Sequence, residues 1–148
     1  MRAINLARVA TAFKNIGVET ELDSNQLNII QLRVPIAASV ESGQLLVLAA
    51  DWDLELDNTP ELQRDLFFRI NDFHRKYTRI KIAMDTENEH AVLSFFDVIS
   101  CHPGLSDSLL ELTLQSSLGG LIHAAYELSS QIPGADVSPA PTTEWGGV

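Results

Sequence analysis

Residues Asn58–Ile99, NTPELQRDLFFRINDFHRKYTRIKIAMDTENEHAVLSFFDVI, decide the fold. They read as a helix, a turn, a strand, a short connection and a second strand. Asn58-Thr59-Pro60-Glu61 is a helix start. Asn or Thr can accept from the orphan amides of a first turn, and Pro is tolerated at the first helical position because its missing N–H had no partner there. Leu62, Leu66, Ile70, Phe73 and Tyr77 follow at spacings of four, four, three and four, one face of a helix that Phe67 widens. Phe68 points almost opposite, among Glu61, Arg64, Asp72 and Arg75. An exposed Phe on a charged face touches either a partner or a second packing surface within the chain.

The period then changes from 3.6 to 2. Ile80, Ile82 and Met84 alternate with Arg79, Lys81 and Ala83, as in a strand with one wet face. Polar residues Asp85 to Glu89 suit a hairpin connection. In the strand Ala91 to Ile99, one face carries Ala91, Leu93, Phe95 and Ile99, the other Val92, Phe96 and Val98. A strand apolar on both sides is covered on both sides. Helices supply one cover; the other must come from elsewhere in the chain or from another molecule.

Working outward, residues 2–16 read as an amphipathic helix on Leu6, Val9, Ala10, Phe13 and Ile16, stopped by Gly17. Val18 to Leu22 and Leu27 to Val34 read as strands around the turn Asp23-Ser24-Asn25-Gln26, and Pro35 ends the second ladder. Leu45 to Ala50 is continuously apolar; from Asp51 strict alternation sets Trp52, Leu54 and Leu56 against Asp51, Asp53, Glu55 and Asp57. A calcium loop starting at Asp51 would need Gly and Glu where Leu56 and Leu62 stand, so the four acids read as a solvated stripe that discourages edge pairing. Ser106-Asp107 caps a long helix whose stripe is Leu110, Leu114, Leu118, Leu121, Ala125, Leu128 and Ile132. Gly119-Gly120 inside it implies a close backbone crossing or a bend. Residues 133–148, rich in Pro, Gly, Ala, Ser and Thr, read as a mobile tail beyond a single domain of residues 1–132.

The chain has 148 residues with 45% hydrophobic content, enough for one domain with a core, and a net charge of −10 that disfavours nucleic-acid and anionic-membrane roles. No apolar run reaches the roughly 20 residues of a membrane span. Arg2, Arg8 and Lys14 interrupt any signal-peptide pattern, and the single Cys101 excludes an intramolecular disulfide, which fits a reducing cytoplasm. Cys101-His102 is the one thiol–imidazole neighbour pair, and no third orienting group can be named for it. His74, His90, His102 and His123 are too scattered for a metal site, and no phosphate- or dinucleotide-binding motif is present. Six of the ten basic residues, Arg64, Arg69, Arg75, Lys76, Arg79 and Lys81, fall in one short run that reads as a solvated face or as a dock for an acidic segment.

Ile70-Asn71-Asp72-Phe73-His74, Arg75-Lys76-Tyr77, the strands Ile80 to Asp85 and Val92 to Ile99, and Pro103-Gly104-Leu105-Ser106 before the last helix together resemble the YbjN family, described as bacterial sensory transduction regulators. The resemblance covers most of the chain to about Ile132; Cys101-His102-Pro103 and the tail have no counterpart in it. It implies a fold similar to type III secretion chaperones, small acidic cytoplasmic homodimers that bind extended client segments. No functional residues are carried over from it.

The expectation is therefore an α+β domain, α-β-β-β-α-β-β-α, with an antiparallel five-stranded sheet and helices packed on one side. The expected function is a non-enzymatic, cytoplasmic, homodimeric protein- or peptide-binding regulator without cofactor or metal. Phe68, Trp52, Phe95 and Phe96 are its expected exposed apolar area. The alternatives are a small-molecule-sensing domain with a pocket between helix and sheet, and an enzyme built on Cys101 and a distant His.

Overall fold

The computed structural model describes residues 2–30 and 35–134. The elements run α1 (Leu6–Asn15), β1 (Thr20–Asp23), β2 (Gln26–Ile29), β3 (Ile36–Glu41), β4 (Leu45–Asp57), α2 (Pro60–Lys76), β5 (Lys81–Asp85), β6 (His90–Ser100) and α3 (Asp107–Ser129). The sheet is antiparallel, ordered β1-β2-β3-β4-β6-β5, so it has six strands rather than the five expected. The additional strand is β3, just after Pro35. Its Ala37-Ala38-Ser39 centre has little intrinsic β preference, yet Ile36 and Ala38 are buried against Ala50 and Leu48 of β4. The expected strand Leu27 to Val34 is observed as β2, and residues 31–34, like the expected tail beyond Gly134, lie outside the described residues.

Each helix begins at a side-chain cap: Asn5 accepts from the Arg8 amide, Thr59 from Leu62 and Ser106 from Leu109. α1 starts at its cap rather than at residue 2, because Arg2 is drawn into a bridge with Leu105. Arg8 fastens that junction, donating to the carbonyls of Arg2, Ala3 and Leu105 and to Asp107 Oδ1 at 2.8 Å. These bonds hold the Asp107 carboxyl below its usual range, Arg8 first and Arg2 with it. Gly104 sits where any Cβ would overlap the Arg2 carbonyl.

All three helices pack on one face of the sheet. Register puts Leu46, Leu48, Ala50 and Trp52 of β4 on the same face as Leu93 and Phe95 of β6, and all six are buried. The whole α3 stripe from Leu110 to Ile132 is buried against them. A Cβ on Gly120 would lie 3.4 Å from Ile80 Cδ1, whereas one on Gly119 would meet nothing within 4 Å. The close approach is therefore to a side chain, not to another backbone, and it concerns one glycine of the pair.

Candidate interaction surfaces

The residues proposed as exposed apolar area divide by strand parity. Trp52 and Phe95 are core residues, 1% and 0% exposed, with ring centroids 6.2 Å apart. The expectation that they are exposed is corrected: both sit on the helix-covered face. Phe96 and Phe68 do reach the surface. Phe96 is half-buried on the opposite sheet face, and Phe68 is 64% exposed on α2. Phe67 was expected to widen the buried face of α2 but is 56% exposed and meets Phe68 edge-on. Leu66, Ile70 and Phe73 are the buried residues of the α2 contact with the core, with Leu62 packed partly buried beside them.

Among the described residues no helix covers the second face of the sheet. Cross-strand register assembles its centre from Ala37 (β3), Val47 and Ala49 (β4) and Phe96 and Val98 (β6), with Val47 opposite Val98 and Ala49 opposite Phe96. Val98 is the most open of these, and Leu45 extends the patch at one end. Asp51, Asp53 and Glu55 border it along β4, and Lys81 lies beside Phe96 on β5. The four acids from Asp51 to Asp57 are exposed, as expected of a solvated stripe. β4 is an inner strand, but its pairing with β3 stops at Ile36↔Ala50. The acids thus occupy the part that β3 leaves unpaired. Glu55 has φ +57, and its amide donates to Asp53 Oδ1, where the β4–β6 register shifts. No cluster of metal-ligating side chains is found among the described residues.

The basic run is mostly consumed by local pairs: Arg69 with Asp65, Lys76 with Asp72, and Arg79 with Asp97. Among the described residues, Arg64, Arg75 and Lys81 have no ion-pair partner. Asp97 is 2% exposed on the core face; Arg79 Nε reaches its Oδ2 at 3.0 Å, and Arg79 Nη1 donates to Ser116 Oγ of α3 at 2.7 Å. This bridge closes one end of the helix–sheet interior, a contact that sequence spacing alone did not reveal.

The Cys101 thiol is buried beneath β6, with Sγ 3.6 Å from the Ile99 carbonyl. Burial pushes its pKa up, which disfavours the thiolate a nucleophile needs. His102 beside it is exposed. One groove of about 730 Å³, open to solvent, is lined by residues of β6 and α3, by Thr78 and Arg79 before β5, and by Lys81 of β5. No helix is long and apolar enough to cross a membrane among the described residues.

No family model and no curated protein matches the chain. Among solved structures it is similar to the crystal structure of YbjN from E. coli, described as "a putative transcription regulator". The TM-score is 0.64 over 78% of this chain and 84% of that one, at 10% identity. The likeness therefore shows a shared fold.

Proposed function

We propose that this chain is a non-enzymatic regulator that works by binding protein, as a homodimer whose second subunit covers the open face of the sheet. The observation that carries this is the apolar centre of that face: Val47, Ala49 and Phe96 are half-buried and Val98 exposed, with no helix over them among the described residues, while the opposite face is packed under the three helices. Six strands at about 4.8 Å spacing, and roughly nine residues along β4, give a flat area on the order of 800 Å². That is about what each partner contributes to a standard interface. A second copy offers the same flat apolar centre, which suits an isologous contact. Protein binding in the cytoplasm agrees with the net charge of −10, and a regulatory role is in line with the description of the structurally similar YbjN as "a putative transcription regulator".

The alternative, a small-molecule sensor with a pocket between helix and sheet, has less behind it. That interior is filled by Trp52, Phe95 and the α3 leucines, and the groove of about 730 Å³ between β6 and α3 is open to solvent instead of enclosed. A nitroxide on Ser39→Cys, on the open face beside Val47, tests the dimer geometry. Sheets packed face to face stand about 10 Å apart, so strong dipolar coupling between copies is expected; no coupling would overturn the proposal.

A further inference from the structure

β6 outruns β5. The β5–β6 ladder ends at Lys81↔Phe96, while β4 continues beside β6 to Leu45↔Ser100. Asp97–Ser100 therefore has β4 on one side and, among the described residues, no strand on the other. The Cys101 N–H donates to the Gln44 carbonyl at 2.7 Å, in register with that ladder. In an antiparallel ladder, hydrogen-bonded and non-bonded pairs alternate. Asp97 and Ile99 thus aim their backbone groups at β4, and Val98 and Ser100 aim theirs at the open side. No protein group among the described residues bonds to Val98 or Ser100 there.

This free edge forms one wall of the groove of about 730 Å³; Leu112, Thr113 and Ser116 of α3 form the other. Leu112 is 62% exposed. At the β5 end stand Arg79, with Nη2 unengaged, and Lys81, unpaired. The slot thus offers a strand edge, an apolar helix wall and cations, whereas Asp51–Asp57 of β4, past the described pairing with β3, is lined with acids.

We infer that an extended peptide segment of a partner protein, with acidic and apolar side chains alternating, adds as a strand to the Val98–Ser100 edge. Its backbone completes the ladder, its apolar side chains meet Leu112 and Ile99, and its acids reach Lys81 and Arg79. The cations Arg79 and Lys81 at the slot select an acidic occupant here. The inference rests on the protein-binding reading; the slot meets the dimer face at Val98 and Lys81 and extends from there to α3, which the dimer does not use.

The test uses labelled short peptides alternating valine with glutamate, or valine with lysine, and fluorescence anisotropy with the unmodified protein. Expected are saturable binding of the glutamate peptide, at least tenfold weaker binding of the lysine peptide, and at least tenfold loss when alternate amides of the glutamate peptide are N-methylated. Leu112→Glu should lose the peptide and keep the native sedimentation coefficient. Indifference to N-methylation, equal binding of both peptides, or no saturable binding overturns the inference. So does a Leu112→Glu protein that loses its dimer, since the slot would then belong to a second copy. A monomeric native protein that still binds the glutamate peptide would instead support the slot and sink the dimer alone.

Discussion

His74 Nε2 accepts the backbone N–H of Ile82 at 3.0 Å, tying the last turn of α2 to the outer edge of β5. Ile82 lies opposite Phe95, between the bonded pairs of the β5–β6 ladder, so its N–H points away from β6. An imidazole accepting at Nε2 must be neutral. Burial, and then the charge of Lys81, pull its pKa below the ordinary 6.5. Above 6.5 the imidazole is neutral folded or unfolded, and the contact contributes in full. As the pH falls below 6.5 the unfolded chain protonates first, and stability declines until folded His74 titrates as well. Urea midpoints of the native protein and His74→Gln, from about pH 7.5 to about pH 5, check this. The native midpoint should fall more steeply; parallel slopes would contradict it.

Arg79 is the cation beside a carboxylate that is 2% exposed. Arg79→Ala leaves Asp97 buried and uncompensated and should cost about 2–3 kcal/mol, toward the low end for broken buried pairs because Arg79 is itself half exposed. Arg79→Ala combined with Asp97→Asn should recover part of that loss. Equilibrium denaturation of the single and double variants reads both values.

The two α3 glycines should separate. Gly119→Ala meets no atom within 4 Å and should stabilise by about 0.5–1 kcal/mol. Gly120→Ala brings a methyl to Ile80 and should gain less. Thermal melts decide the order, and a larger gain at Gly120 would mean that the α3–Ile80 approach is wrongly placed.

Cys101 should resist thiol reagents in the folded protein and react only on unfolding, because its thiol is 1% exposed and its pKa is raised. The labelling rate in urea should track the unfolded fraction. Rapid labelling in buffer would reopen a chemical role for this residue.

Much of the fold was legible because it rests on periodicity. The α3 stripe, the capped start of α2 and the two-faced strand at Ala91 to Ile99 are local patterns, and the structure keeps each. β3 was hidden because small residues carry a weak strand signal, and its burial comes from cross-strand neighbours. Which aromatics are exposed was half legible. Two apolar faces on β6 say that both need cover, but only the register with β4 shows that Phe95 goes inward with Trp52 and Phe96 outward. Phe67 lies at the margin of the α2 stripe, where helix rotation against the sheet decides its exposure. The slot at Val98–Ser100 had no sequence signature, since it depends on where β5 begins alongside β6.

The central claim is that the open sheet face is an interface between two copies. Sedimentation equilibrium on the native protein and on Val47→Lys tests it most directly, because Val47 lies on that face and outside the groove beside β6. The native chain should behave as a dimer and the variant as a folded monomer of 16.3 kDa. A native monomer at tens of micromolar, or a variant that dimerises as tightly as the native chain, would contradict it.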